Sequence, residues 1–171
     1  MLRIRTAFLN FYFMTDLFVT SDAIFSNDRK YRYALIRVWD DEKPKIAFIG
    51  LNPSTANETD NDPTIRRVMR FAKDWGYGGV YMLNLFAVVS ADPKVLVTCP
   101  DPIGDNDKWL ELFCGISHKL LFAWGGFKEA KQRAKEVSSK FTLALCLGKN
   151  ADGSPKHPLY IKADTKPVQY I

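Results

Sequence analysis

The sequence predicts an α/β fold, a three-layer sandwich in which helices cover both faces of a central, mostly parallel sheet. Five apolar runs alternate along the chain with segments of helical periodicity, an order typical of a parallel sheet covered by helices. Most of these runs also lack the alternation of apolar and polar residues that a half-exposed strand shows. Continuous apolar runs are expected where both faces of a sheet are buried.

The expected strands are these apolar runs. The first two, YALIRVW (33–39) and KIAFIGL (45–51), are joined by a polar turn, and GVYMLNL (79–85) follows. HKLLFAW (118–124) and FTLALCL (141–147) complete the set. Short apolar runs of this kind, bounded by turn residues, are typical of strands.

Three segments between the strands carry apolar residues at helical spacing. They cover residues 63–75, 105–116 and 126–139. In the first, Asp62 is suited to cap the N-terminus and Pro63 to occupy the first position. The third has a positive face, more typical of a solvated helix than of a binding surface. That face consists of Lys128, Lys131, Arg133 and Lys135.

Length and composition favour one domain. The 171 residues are 47% hydrophobic and 13% aromatic, which is enough for a single substantial core. We expect an N-terminal extension over residues 1–24 and a single α/β domain over residues 25–171. The extension imitates a signal peptide, but Asn10 and Asp16 interrupt its apolar stretch and no small-residue cleavage site follows. Met14 is an alternative start.

Charge and cysteine content narrow the class of protein. The net charge of +5 permits an anionic partner, although 24 basic against 19 acidic residues is a mild excess for a dedicated nucleic-acid binder. Cys99, Cys114 and Cys146 are odd in number and far apart, so they predict neither a disulfide framework nor a metal cage. We therefore expect a cytoplasmic protein with no metal, no other cofactor and no membrane partner.

Polar residues follow or close several of the expected strands. In sheets of this kind, ligands collect beyond the carboxyl ends of the strands. We therefore expect Asn52, Asn84, Trp124 and the segment that leads to His157 to meet at one edge of the sheet.

The first of these positions lies in the segment Gly50-Leu51-Asn52-Pro53-Ser54. Gly50 permits a close backbone approach, and Pro53 biases Asn52 away from helical angles, which fixes the direction of its amide. An amide held in this way can orient a water molecule or a carbonyl group. The same residues are also common in plain turns, and spacing alone favours the turn.

Two arginines begin the helix that follows this segment. Arg66 and Arg67 lie in its first turn, where a cation is unfavourable because the backbone already carries a partial positive charge. Either Asp60 and Asp62 compensate them within the chain, or a ligand phosphate does so. Glu58 and these two aspartates match no defined metal-binding loop.

Asn84 and His157 are candidates for contact with a ligand. Asn84 stands in an apolar strand, where an amide without a hydrogen bond costs about 1–3 kcal/mol, so it meets either a structural partner or a ligand. An amide donates and accepts hydrogen bonds, which suits a nucleobase. Pro155 and Pro158 flank Lys156 and His157 and restrict their loop. A lone histidine in a loop is otherwise usually without a special role.

Two resemblances follow from these segments. YRYALIRVWD, FIGLNPSTANETDNDPTIRR, WGYGGVYMLNLFA, DPIGDND and SPKHPLYI resemble a family of bacterial and phage proteins catalogued as a domain of unknown function. More distantly, the chain is similar to the uracil-DNA glycosylase superfamily. Its members have a Gly-x-Asn-Pro motif after a strand, an apolar strand that ends in Asn, a Trp-Gly strand end and a His-Pro loop. The corresponding residues occur in the same order here, as Gly50 to Pro53, Met82 to Asn84, Ala123 to Gly125, and His157 with Pro158.

The second resemblance implies a similar fold and roles for three residues. Asn52 would position a water molecule, Asn84 would read a base, and His157 would stabilise the departing base. Cleavage of an N-glycosidic bond needs groups of these types, because positive charge develops on the sugar and negative charge on the base.

One departure from that superfamily concerns its DNA contacts. Leu159 and Tyr160 follow His157-Pro158 in place of the Ser-Pro-Leu-Ser continuation that grips and wedges duplex DNA. A free nucleoside or nucleotide would not need that continuation, with Arg66 or Arg67 receiving a phosphate. We therefore expect a protein that binds a nucleobase or nucleotide and is a candidate N-glycosidic-bond hydrolase. The alternative is a non-catalytic nucleotide or nucleic-acid binding protein on the same fold.

Overall fold

The computed structural model describes residues 19–171, so the expectations for Met14 and for the apolar stretch before it lie outside the described residues. The described chain forms one sheet of seven strands in the spatial order β1-β2-β4-β3-β5-β6-β7. The strands are β1 Thr20–Phe25, β2 Arg32–Val38, β3 Lys45–Gly50, β4 Gly79–Asn84, β5 Lys119–Phe122, β6 Leu145–Cys146 and β7 Val168–Gln169.

The sheet is mixed, with a parallel centre and antiparallel edges. β4, β3, β5 and β6 run parallel to one another, whereas β1, β2 and β7 pair antiparallel with their neighbours. The expectation of a mostly parallel sheet therefore holds for the centre alone. The reason at the first edge is a tight turn, closed by a hydrogen bond from Ser26 N to Tyr31 O (3.0 Å). Strands joined by so short a turn pair antiparallel.

Helices lie on both faces of this sheet. They are α1 Pro63–Asp74, α2 Val95–Thr98, α3 Asn106–Ile116 and α4 Lys131–Lys140, with 3₁₀ turns at Lys128–Ala130 and Pro158–Tyr160. Because side chains alternate along a strand, Ile46 and Phe48 of β3 join the core under α1. Ala47 and Ile49 join the core under α3 and α4. This arrangement explains why the sequence of β3 is apolar throughout.

The start of α1 confirms the local prediction. Asp62 Oδ1 accepts a hydrogen bond from Ile65 N (2.9 Å), and Pro63 is the first helical residue. Strand β1 was not expected, and residues 20–24, which the sequence assigned to an extension, form most of it. Its first three residues, Thr20 to Asp22, are polar and exposed, and the last three are half-buried at the sheet edge, so the strand lacks a long apolar run.

The sequence predicted that Arg133 lies on the solvated face of its helix, and this prediction is wrong. Arg133 is buried, donates from Nε to Leu85 O (3.0 Å) and pairs with Asp107. Its position beside the end of β4 satisfies a carbonyl that the sheet leaves free. Within residues 19–171, no helix combines the length and the apolar character that crossing a bilayer requires.

Candidate functional site

A cavity of about 230 Å³ lies at the carboxyl ends of β3, β4 and β5. Gly50 ends β3, Asn84 ends β4, and Trp124 follows β5, so the central strands deliver these residues to one place. Seven of the residues singled out from the sequence line this cavity: Gly50, Asn52, Ser54, Asp62, Asn84, Trp124 and His157. The fold therefore brings together residues more than a hundred positions apart in the chain.

Asn52 is held by its amide nitrogen. Nδ2 donates to Pro53 O (3.1 Å) and to Ser90 O (2.9 Å), and Ser90 N donates to Pro53 O (2.8 Å). Asn52 thus ties the loop after β3 to the loop after β4. Its Oδ1 accepts no hydrogen bond from any described residue, which leaves an acceptor at the cavity wall. Both interpretations of Asn52 are compatible with this geometry, since the residue braces a turn and keeps one oxygen available.

Asn84 has the opposite arrangement, because its amide nitrogen donates no hydrogen bond within the described chain. The residue is 2% exposed, and its Nδ2 has no hydrogen-bond partner. A buried amide in this state costs about 1–3 kcal/mol. Asn84 therefore has the properties of a group that a ligand satisfies.

The His157 side chain presents a fixed nitrogen to the cavity. Nδ1 accepts a hydrogen bond from Leu159 N (3.4 Å), so the neutral ring carries its proton on Nε2. Burial lowers the pKa of His157 below its ordinary value, and the negative charge of Asp62 opposes that shift in part. The ring is therefore neutral near pH 7 and offers one N–H donor.

The loop that carries His157 is fixed to the ends of neighbouring segments. Gly125 N donates to Pro155 O (3.0 Å), and Lys156 N donates to Gly148 O (2.9 Å). These hydrogen bonds hold the peptide between Pro155 and Lys156, directly before His157, as expected for a loop that must orient a side chain.

Arg32 is a cavity residue that sequence reasoning missed. It is 2% exposed and lines the cavity. Its Nη1 donates to Ala56 O, while Nε has no partner. Burial lowers the pKa of Arg32 to about 10, partly offset by the charge of Asp62, so the side chain stays protonated at pH 7. An arginine at the start of an apolar strand was the available signal, because a buried charge requires compensation.

The cavity is close to electrically balanced. Asp62 supplies one negative charge opposite Arg32, and the two residues form no ion pair within 4.0 Å, although each lines the cavity. A polar ligand with both donors and acceptors can fill the space between them. A strongly charged ligand gains less, since the carboxylate repels an anion and the guanidinium repels a cation.

The other acidic residues of this region do not gather around a metal. Glu58 pairs with Arg29 (2.7 Å), and Asp60 Oδ2 accepts from Asn57 Nδ2 (2.9 Å). Among residues 19–171, no group of three histidine, cysteine or acidic side chains is arranged to hold an ion.

Four residues proposed from the sequence lie outside the cavity lining. Arg66 donates to Asn61 O, and Arg67 donates to Ile161 O with its guanidinium 4.8 Å from the centre of the Phe71 ring. Both arginines therefore donate to backbone carbonyls, and neither lines the cavity. The remaining two are Pro53, which is buried, and Lys156, which is exposed.

Fold and site together define an α/β protein with a small polar cavity at the carboxyl ends of its central strands. The chain belongs to the DUF1643 family, described as a protein of unknown function, whose model matches residues 32–159. That match spans strands β2 to β6 and every residue of the cavity wall. No curated protein and no solved structure matches the chain.

Proposed function

We propose that this protein binds a nucleobase-bearing ligand in the cavity and hydrolyses its N-glycosidic bond. The observation that carries the proposal is the meeting of Asn52, Asn84 and His157 around one cavity. Each of them has a hydrogen-bonding group that no described residue uses. The order of motifs shared with uracil-DNA glycosylases supports the same reaction and a similar fold.

The three side chains suit the charges that develop during this reaction. The bond between the sugar carbon and the base nitrogen breaks, and its electron pair leaves with the base. His157 Nε2–H donates to that base as negative charge grows on it. Asn52 Oδ1 accepts a hydrogen bond from the water whose oxygen bonds to the sugar carbon. The water releases one proton, and the base takes up one proton.

Asn84 and Asp62 complete the arrangement. The free amide of Asn84 binds a polar edge of the base, which satisfies a group that is otherwise buried without a partner. The Asp62 carboxylate lies at the cavity wall, where it stabilises positive charge on the sugar.

The cavity volume limits what enters it. At about 230 Å³, it is smaller than the roughly 300–1,000 Å³ of pockets that enclose a drug-sized molecule. A base fits inside, and the rest of the ligand lies at the mouth. Neither Arg66 nor Arg67 lines the cavity, so the proposal does not use them to bind phosphate.

A non-catalytic nucleotide or nucleic-acid binding protein is the second candidate. The observation that favours it is the role of Asn52 Nδ2 in bracing two loops, which accounts for Asn52 without any reaction. A cytoplasmic location, which the cysteine pattern favours, stays a prediction under both candidates.

A product screen tests the proposal. The protein is incubated with nucleosides, nucleotides and single- and double-stranded DNA that contains damaged bases, and free base is measured by chromatography. We expect release with at least one substrate, and about a 100-fold loss or more in His157→Ala and Asn52→Ala. Asn52→Ala also loses two hydrogen bonds, so we expect it to fold with about 1–2 kcal/mol less stability.

The control is His118→Ala, which changes an exposed histidine outside the cavity and should retain wild-type turnover. A thermal shift with a ligand but no released base would favour the binding protein. Neither release nor a thermal shift across the panel would overturn both candidates.

A further inference from the structure

A second concave surface lies beside the cavity. It is a groove of about 730 Å³ between α4 with the 3₁₀ turn before it, the loop at residues 149–154, and the last two residues of the chain. Aromatic rings of Trp124, Phe127 and Tyr170 line it. We call this surface the lysine groove, because four lysines line it: Lys128, Lys131, Lys135 and Lys149.

The lysines of the α4 region are available to a ligand. Lys128, Lys131 and Lys135 are spaced by three and four residues, which places them on one face of the helical segment. All three are exposed, and none has an acidic partner within 4.0 Å among the described residues. This face excludes Arg133, which is buried against Asp107.

The charge of the groove is strongly positive. Lys149 donates to Ile171 O and lies 4.8 Å from the centre of the Tyr170 ring. Asp152 is the acidic residue of the lining, and its carboxylate accepts from the Ser154 hydroxyl (2.6 Å). The side chains that line the groove thus carry four ammonium groups, one carboxylate and three aromatic rings. This combination suits a ligand with several negative charges and flat apolar groups.

The lysine groove adjoins the cavity. Trp124 lines both, and the loop from Lys149 to His157 forms a wall of each, with Ser154 on the groove side and His157 on the cavity side. A chain-like ligand whose base occupies the cavity can therefore continue past Trp124 into the groove.

We propose that the lysine groove binds the nucleotides that flank the target base in a single-stranded nucleic acid. Phosphates contact the lysines, and bases stack on Phe127 and Tyr170, which is the combination that single-strand binding surfaces use. A duplex hides its base faces and could not stack a base on these rings. That this strand is also the substrate rests on the proposed function. Its binding to the groove does not require hydrolysis.

Fluorescence anisotropy with a fluorescein-labelled 12-nucleotide oligothymidine tests this proposal. The groove variant is Lys128→Glu/Lys131→Glu/Lys135→Glu. Its matched control, Lys119→Glu/Lys162→Glu/Lys166→Glu, makes the same charge change at exposed lysines outside the groove. Circular dichroism and thermal melting verify that both variants fold.

We expect the groove variant to bind the oligonucleotide at least tenfold more weakly and the control to bind within about twofold of wild type. The slope of log affinity against log salt should fall by about 2 in the groove variant, because each lost phosphate contact removes roughly 0.7 from the slope for a single strand. Phe127→Ala should weaken binding without changing this slope, since stacking involves no charge.

Further measurements compare the single strand with a duplex and with a mononucleotide. Equal loss in both triple variants would overturn the proposal, as would tighter binding of the matching duplex. Competition by thymidine monophosphate as effective as that by the oligonucleotide would also overturn it, since the groove would then be a small-ligand site. The wild-type protein separates the two proposals: oligonucleotide binding that the groove variant loses, with no base released from any substrate of the panel, supports the groove and overturns the hydrolase.

Discussion

Gly50 and Asn84 face each other at the ends of neighbouring parallel strands, and the absence of a side chain at Gly50 makes room for the Asn84 amide. The two residues are paired in register between β3 and β4. A Cβ atom on Gly50 would lie 2.9 Å from Asn84 Oδ1 and 2.6 Å from Met82 Cε. The glycine thus fixes where the amide sits relative to the cavity.

Gly50→Ala should therefore displace the Asn84 amide and remove ligand binding. Overpacking of this kind costs about 1–3 kcal/mol, which denaturant unfolding can measure alongside a ligand-induced thermal shift. Gly115→Ala is the matched control, because nothing lies within 4 Å of a Cβ there. That exposed helical position should gain roughly 0.5–1 kcal/mol. Full ligand binding by Gly50→Ala would contradict the role of this contact.

Asn84 and Asn106 form a second comparison between two buried asparagines. Asn84 Nδ2 has no partner, whereas Asn106 Nδ2 donates to Asn84 O (2.8 Å) and Leu85 O (3.2 Å). Asn84→Ala should change the free energy of unfolding by less than about 1 kcal/mol, because it breaks no hydrogen bond. Asn106→Ala should cost about 1–3 kcal/mol, because it removes the Nδ2 donor of the buried Asn84 carbonyl. Leu85 O keeps its hydrogen bond from Arg133 Nε.

Ligand binding should be lost in Asn84→Ala, the variant that loses less stability, and kept in Asn106→Ala, the variant that loses more. Under the proposed function, a nucleobase ligand should raise the melting temperature of wild type and of Asn106→Ala but not that of Asn84→Ala. Urea titrations and thermal shifts on the same preparations measure both quantities. A large loss of stability in Asn84→Ala would indicate a structural role for its amide.

The sequence predicted those features that depend on residues close together in the chain. The start of α1 is one, because Asp62 and Pro63 act within a single turn. The partners of Arg67 could not be predicted, since its guanidinium binds Ile161 O, 94 positions away. Strand β1 was missed because strands were predicted from apolar runs, whereas β1 is held by its backbone pairing with β2.

The candidate site shows the same limit. The strand-end rule selected Asn52, Asn84 and His157, and all three line the cavity. It could not select Arg32, which begins β2 at the antiparallel side of the sheet. That arginine reaches the cavity because β2 runs opposite to β4, so that the start of one strand lies beside the end of the other.

Arg32→Met tests whether this buried charge serves a ligand. Methionine keeps much of the apolar stem and removes a buried charge, but the hydrogen bond from Nη1 to Ala56 O is lost. We therefore expect the free energy of unfolding to fall by about 1 kcal/mol. Arg133→Met is the matched control. That arginine donates to Leu85 O and pairs with Asp107, and its loss should cost about 1.5–3 kcal/mol.

Thermal shifts with the ligand separate the two arginines. Arg32→Met should lose the shift, because the donors at the cavity wall are gone, and Arg133→Met should keep it. A destabilisation of Arg32→Met as large as that of Arg133→Met would show that Arg32 mainly braces the fold.

The pH dependence of stability tests the state of His157. Burial lowers its pKa below the ordinary value of 6.5, against the opposing charge of Asp62. Between the unfolded and the folded pKa, the unfolded chain binds a proton that the folded chain does not, so stability falls as the pH falls through this window. Above about pH 6.5, His157 is neutral in both states and contributes no such slope.

His157→Gln should therefore lose less stability than wild type between pH 7 and pH 5, measured by urea unfolding at each pH. Identical profiles for wild type and His157→Gln would contradict a neutral, buried ring that offers its Nε2–H to a ligand.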